Sequence, residues 1–193
     1  MTEARPDQHR ATITDPQVMR ALAHPARLAI MEHLTSTGGT VTATECAEVA
    51  GLSPSATSYH LRALAGFGLV EEAPSRGDAR ERLWRSTVRS WGVDAGQAAE
   101  PETRAAERAL LETWLARDLE RTRDWLRRAP GEPADWYEQT RLYDSLLLLT
   151  VEELAGLNAA VDRLVEPYRK RNRAAPPTGA RTVAVQYKAL PID

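Results

Sequence analysis

ATECAEVAGLSPSATSYHLRALAGFG, residues 43–68, is the stretch on which the fold turns. Residues 43–50 read as a short helix with Cys46, Ala47 and Ala50 on its apolar side. Gly51 supplies the position just past a helix C-terminus, where positive φ is needed. Two residues on, Ser53-Pro54 pairs a capping hydroxyl with proline at the first helical position, and a second helix runs to about Ala65. Thr57, Leu61 and Leu64 recur at helical spacing as its buried stripe, which Phe67 and Leu69 extend. Helix, the turn Gly51-Leu52-Ser53 and helix make a helix-turn-helix unit.

The flanks complete it. Upstream, Asp15-Pro16 opens one helix, with Val18, Leu22 and Ala23 in register, and Pro25 opens another, with Leu28, Met31 and Leu34 on one face. Downstream, Leu69–Glu72 and Arg82–Ser86 read as strands around the turn SRGDAR at 75–80. A helix-turn-helix closed by a β-hairpin is a winged helix.

The outer face of the second helix carries Ser55, Ala56, Ser58, Tyr59 and Arg62, with no acidic residue among them. Small hydroxyls let a helix sit deep in a major groove about 12 Å wide, and Tyr59 and Arg62 are long enough to reach base edges or phosphates. Ser53 at the cap and His60 beside the stripe join the candidate DNA-contacting set, His60 either as a packed ring or as a phosphate contact. Arg76, Arg80 and Arg82 place basic side chains on the wing, diluted by Asp78 and Glu81. An exposed amphipathic helix of any purpose would share the serine-rich face; the attached turn and wing favour DNA. Residues 15–92 hold eight basic and eight acidic side chains, so binding is expected to depend heavily on dimerisation.

ALAHPARLAIMEHL (21–34), TECAEVAGLSPSATSYHLRALAGFGLV (44–70) and the arginine-flanked hairpin resemble the ArsR-type winged-helix transcriptional repressors. The resemblance covers roughly residues 15–90. It implies a DNA-binding regulator with groove contacts at Ser55, Ser58 and Tyr59. The family senses metals, redox state or organic molecules. Its metal-sensing members carry paired cysteines in the third helix, whereas Cys46 stands alone here, and others use C-terminal histidines, whereas none follows His60. The expectation is therefore no metal and no cofactor.

Beyond a linker at 93–101, a long helix is expected over 102–128. Leu111, Leu115, Leu119, Thr122 and Leu126 form its stripe, and Trp114 and Trp125 widen it. At 1.5 Å per residue such a helix is about 40 Å long, more than one small domain covers, so the stripe reads as a homodimer interface. Residues 138–149 satisfy both helix and strand spacing. Val183, Val185 and Tyr187 alternate as a strand, and a lone strand needs a partner, which favours a strand at 140–149. Thr150-Val151-Glu152-Glu153 is a capping box opening a helix between them. Trp114, Trp136, Tyr137 and Tyr143 suggest the lining of a pocket for a small apolar organic ligand; simple core packing would use the same residues.

Composition sets the outer bounds. The chain has 193 residues, is 42% hydrophobic and 27% charged, and carries a net charge of -2. That balance excludes a wholly disordered chain, and nothing in it advertises nucleic acid globally. No apolar run approaches the roughly 18 residues of a membrane span. The charged N-terminus lacks a secretory pattern, and one cysteine suits a reducing cytoplasm. Phosphate-binding glycine loops, nucleophile elbows and zinc-protease signatures are all missing, which argues against an enzyme.

The fold class expected is mostly α with small β (α+β). Its parts are a disordered tail over 1–14, a winged helix-turn-helix domain over 15–92, the linker, and a dimerisation and effector region over 102–193 with a C-terminal strand-helix-strand. The function expected is that of a cytoplasmic, homodimeric, sequence-specific repressor. It would read a pseudo-palindromic operator in double-stranded DNA and be released by a small organic ligand. The alternative is a winged-helix protein-interaction module in a larger assembly.

Overall fold

The computed structural model describes residues 10–74, 82–173 and 175–192. The chain divides into two compact units, Met1–Ala116 and Arg117–Asp193. In order, the first unit contains β1 (Arg10–Ile13), α1 (Pro16–Leu22), α2 (Pro25–Thr37), β2 (Val41–Thr42), α3 (Ala43–Ala50), α4 (Pro54–Gly66), β3 (Val70–Ala73), β4 (Leu83–Ser86) and β5 (Ser90–Val93). Helix α5 (Pro101–Arg128) runs across the unit boundary, and α6 (Ala134–Gln139) and α7 (Val151–Val165) follow.

Each helix of the first unit starts where a side chain satisfies a free backbone N–H. The Asp15 carboxylate accepts from Gln17 N at 2.7 Å. His24 Nδ1 accepts from Ala26 N at 3.2 Å. Thr42 and Glu45 form a reciprocal capping box, and Ser53 Oγ accepts from Ala56 N. Gly51 ends α3 at φ 64°, and the amide of Leu52 donates back to Ala47 O at 3.0 Å, which closes the tight turn into α4.

The core of this unit gathers Leu22, Leu28, Ile30, Met31, Leu34, Cys46, Leu61, Leu64, Val70 and Trp84, all buried. Strands β2, β4 and β3 form an antiparallel sheet in that spatial order, with Val41 and Glu72 both opposite Trp84. This is the winged helix read from residues 15–92, with β2 as an added third strand.

Four expectations need correction. Residues 10–13, assigned to a tail over 1–14, form β1, which runs parallel to β5 with Ile13 opposite Val93 and buried. Only two of those four residues are apolar, and the partner strand lies some 80 positions away, so local periodicity carries no signal there. The first unit also reaches past the expected linker at 93–101. Ala106 and Leu110 of α5 enter its core, and Trp114 stacks on Trp91 with ring centroids 5.3 Å apart. That inward row lies beside the Leu111 stripe, which stays exposed. Phe67, expected in the buried stripe, is also exposed: α4 stops at Gly66, and Gly68 at φ 68° turns the chain so that Leu69 enters the core instead.

The fourth correction concerns the strand-helix-strand. The middle helix is present as α7, opened by the Thr150–Glu153 capping box. The flanking residues 141–149 and 181–192 run without turn or bend, but neither segment forms a strand. Strand character in sequence is a demand for a partner, and a single chain seats none there.

Candidate nucleic-acid interface

Helix α4 presents a sharp division between its two faces. Thr57, Leu61 and Leu64 are completely buried. On the opposite side Ser55 and Arg62 are exposed, Tyr59 is 63% exposed, and Ala56 and Ser58 are half-buried. Thr57 fits the apolar side because its hydroxyl donates to Ser53 O at 3.0 Å. The Ser58 hydroxyl donates to Pro54 O at 2.8 Å, which uses its proton and leaves its oxygen as an acceptor. Ser53 and Ser55 hydroxyls lie 3.2 Å apart at the exposed N-terminal turn. The first turns of α4 are thus a shallow hydroxyl-rich ridge flanked by one phenol and one guanidinium, a shape suited to a groove floor.

His60 sits at the edge of this ridge, half-buried between α4 and the start of α2. Its ring lies 4.7 Å from that of His24 and 5.4 Å from that of Tyr59. Burial first, and then the nearby His24 and Arg27, hold its imidazole below the ordinary histidine value. His60 Nδ1 and Arg27 Nε are both buried and without a hydrogen-bond partner. Sequence reasoning missed Arg27 and the closeness of His24, because α2 and α4 meet only in the tertiary structure. A phosphate beside these groups would draw a proton onto His60, so DNA affinity is expected to rise several-fold as pH falls from about 8 to 6. Fold stability should move the other way: a depressed histidine favours the folded state at higher pH, and that contribution is lost as pH falls through 6.5. Fluorescence anisotropy across this range, compared with His60→Gln, tests it; equal pH dependence in the two proteins would remove His60 from the interface.

On the wing, Arg82 is paired with Glu72 at 3.1 Å and Arg85 with Glu71 at 2.6 Å. These exposed pairs are weak and leave the described part of the hairpin close to neutral. Arg76 and Arg80 lie outside the described residues.

The C-terminal candidates have separate surroundings. Leu111, Leu115, Leu119 and Leu126 are exposed along α5, whereas Trp114 is half-buried on Trp91. Trp136 lies beneath the Arg181 guanidinium at 4.7 Å, Tyr137 stacks on Trp125 at 6.2 Å, and Tyr143 is exposed with its hydroxyl donating to Ser145. A hollow of about 400 Å³ on α5 is lined by Pro101, Arg104, Ala105, Arg108, Ala109 and Glu112, and includes none of these aromatics. Cys46 is fully buried, and burial, with the Glu45 carboxylate adding to it, pushes its thiol up to about 12, so it stays protonated near neutral pH. Among the described residues, no three His, Cys, Asp or Glu side chains are grouped as metal ligands, and no helix is long and apolar enough to cross a membrane.

Residues 22–73 match the family described as "Helix-turn-helix domain". A stretch of 78 residues is 39% identical to the HTH-type transcriptional regulator YgaV of Escherichia coli, covering 40% of this chain and 73% of that protein. The chain belongs to the helix-turn-helix transcriptional regulators. The regulator also resembles, at 28% identity, a solved possible transcriptional regulator for arsenical resistance, over 57% of this chain and 94% of that one, with a TM-score of 0.32. At 25% identity it resembles the homodimeric winged helix-turn-helix DNA-binding domain of a possible ArsR-family regulator from Mycobacterium bovis, over 55% and 84% of the two chains, again with a TM-score of 0.32. As a member of this class the regulator binds DNA through its winged helix, and the matched span of 22–73 includes the whole of α4.

Proposed function

We propose that the regulator is a cytoplasmic ArsR-type homodimeric repressor in which α4 enters the major groove. The observation that carries this reading is the division of α4: Thr57, Leu61 and Leu64 are locked into the core, while Ser55, Ser58, Tyr59 and Arg62 stay free to touch DNA. A two-fold dimer would present two such helices about 34 Å apart to a pseudo-palindromic operator. Ser53, Ala56 and His60 flank the contact, and Arg76, Arg80 and Arg82 would reach the backbone from the wing. The exposed leucines of α5 support self-association through residues 102–193. The inducer in this reading is a small, largely apolar organic molecule bound near that interface. The Trp125–Tyr137 stack and the Trp136 ring supply suitable surface, and a buried, protonated Cys46 weighs against thiolate metal sensing. Release would require the ligand to prefer a dimer geometry with differently spaced α4 helices.

Arg62→Ala tests the placement of α4. Arg62 is exposed and its removal leaves the core untouched, so the melting temperature should hold. Specific affinity should fall, and with each subunit touching one phosphate fewer the salt slope of a dimer should drop by about two units. Anisotropy titrations at several salt concentrations read both quantities. Unchanged affinity and slope would take Arg62 out of the interface.

A further inference from the structure

Charge is distributed unevenly along the chain. Residues 163–192 carry seven basic side chains and a single acidic one, Glu166, whereas residues 1–162 carry 18 basic and 25 acidic. A chain of net charge -2 therefore holds a segment of +6 beside one of -7, an asymmetry that suits a polyanionic partner. Part of the excess is spent inside the second unit, where Arg181 pairs with Glu132 at 2.8 Å and Lys188 with Asp118 at 3.2 Å. The rest gathers at Arg163, Arg169, Lys170, Arg171 and Arg173, at the end of α7 and in the loop that follows it.

The loop is built around Glu166. Its carboxylate accepts from Arg169 Nε at 2.6 Å, from Arg171 Nη2 at 3.1 Å and from Asn172 Nδ2 at 2.9 Å. Burial alone would push this carboxyl up, but the Asn172 hydrogen bond and the two guanidiniums outweigh it and hold Glu166 below the ordinary glutamate value. One charged carboxylate thus fixes the course of residues 166–173 while offsetting only one of their four positive charges. Arg171 is spent in this frame, with its side chain 6% exposed. Lys170 is exposed, and the Arg173 guanidinium lies 5.0 Å over the ring of Tyr168, which is itself exposed. A cation–π contact leaves the cation its full charge. Asp162 and Arg163, one turn back on α7, offset each other, so residues 162–173 keep a net charge of +3.

The partner follows from where the rest of the chain lacks charge. Neutralised phosphates supply a large share of the affinity of a DNA-binding protein. The winged helix binds DNA, yet residues 15–92 hold eight basic and eight acidic side chains, and Arg82 and Arg85 are paired with Glu72 and Glu71. Positive charge that the winged unit does not provide is present in the loop after α7. Once the winged helix holds a duplex, a second contact to the same duplex is intramolecular and needs little intrinsic affinity. An anionic membrane is the poorer fit. A helix lying on such a surface has a polar face rich in lysine and arginine, whereas α7 exposes Glu152, Glu153 and Asp162 against Arg163 alone.

We propose that the basic loop 166–173 is a second, sequence-independent DNA contact, in which Lys170 and Arg173 neutralise backbone phosphates of the duplex that the winged helix holds. The exposed Tyr168 hydroxyl beside them is a further donor to a phosphate oxygen. This rests on DNA binding by the winged helix and not on the groove contacts assigned to α4. The C-terminal unit then adds affinity, and the winged unit adds the choice of sequence.

The full chain carrying Lys170→Ala with Arg173→Ala tests it by anisotropy at several salt concentrations. Two probes are needed: a duplex of random sequence, and a duplex selected from a random pool for tight binding. Affinity should fall by the same factor on both, roughly tenfold or more near 0.1 M salt, and the salt slope should drop by about two units for each chain bound. The charge-preserving pair Lys170→Arg with Arg173→Lys should restore both quantities. Unchanged affinity and slope would overturn the proposal. So would a loss confined to the selected duplex, or one that the charge-preserving pair shares, since the loop would then act through the fold and not through phosphate. Loss of binding to phosphatidylserine vesicles with DNA binding intact would overturn it in favour of a membrane. If Arg62→Ala has no effect while the loop variant behaves as expected, the placement of α4 falls and the loop contact stands. A wild-type chain that binds neither duplex would remove DNA binding and the proposal together.

Discussion

Leu115→Glu combined with Leu119→Glu should convert the regulator from dimer to monomer and take specific operator binding down toward the non-specific level, a loss of roughly 10³-fold or more. Both side chains are about half exposed on one chain, at 50% and 49%, so the glutamates cost little in the isolated fold. Against a second copy they would be buried without partners, which a two-fold interface meets twice. Sedimentation velocity reads the mass, and anisotropy on an operator fragment reads the affinity. A double variant that remains dimeric would move the interface off α5, either to α1 or to the extended C-terminal segments alone.

Leu61→Ala should destabilise the winged unit by about 2–5 kcal/mol, enough to remove much of the stability of a small domain. Leu61 is completely buried among Leu28, Met31, Leu64 and the other core side chains, and it lies one residue from the outward-facing Arg62. Its loss therefore separates two roles that adjoin in sequence: Leu61→Ala lowers the urea midpoint and weakens DNA binding through the fold, and Arg62→Ala weakens binding at constant midpoint. A Leu61→Ala protein with an unchanged midpoint would mean that α4 does not pack by this face.

The helix-turn-helix is legible because every signal that builds it is local. Gly51, Ser53 and Pro54 set backbone angles and caps within a few residues of themselves, and Thr57, Leu61 and Leu64 declare a buried face by spacing alone. The outward row of α4 follows by subtraction, which is how the residues themselves nominate Ser55, Ser58, Tyr59 and Arg62 as candidate DNA contacts. The meeting of His24, Arg27 and His60 has no such signature, since it depends on how α2 crosses α4.

Past residue 92 the local signals are sound but their destinations are not written in them. The α5 periodicity is visible, yet only the tertiary structure separates the inward row Ala106, Leu110 and Trp114 from the exposed row Leu111, Leu115 and Leu119. Strand β1 emerges only where Ser90–Val93 pairs with it. The alternation at 183–187 and the leucines of 146–149 carry the pattern of two strands of one chain, and the fold leaves both unpaired. Caps, turns and helical stripes are decided by neighbours within about one turn, so the amino-acid sequence alone determined them. Strand pairing and the choice between core and interface depend on which distant surface arrives opposite, and only the three-dimensional arrangement of the chain decides that.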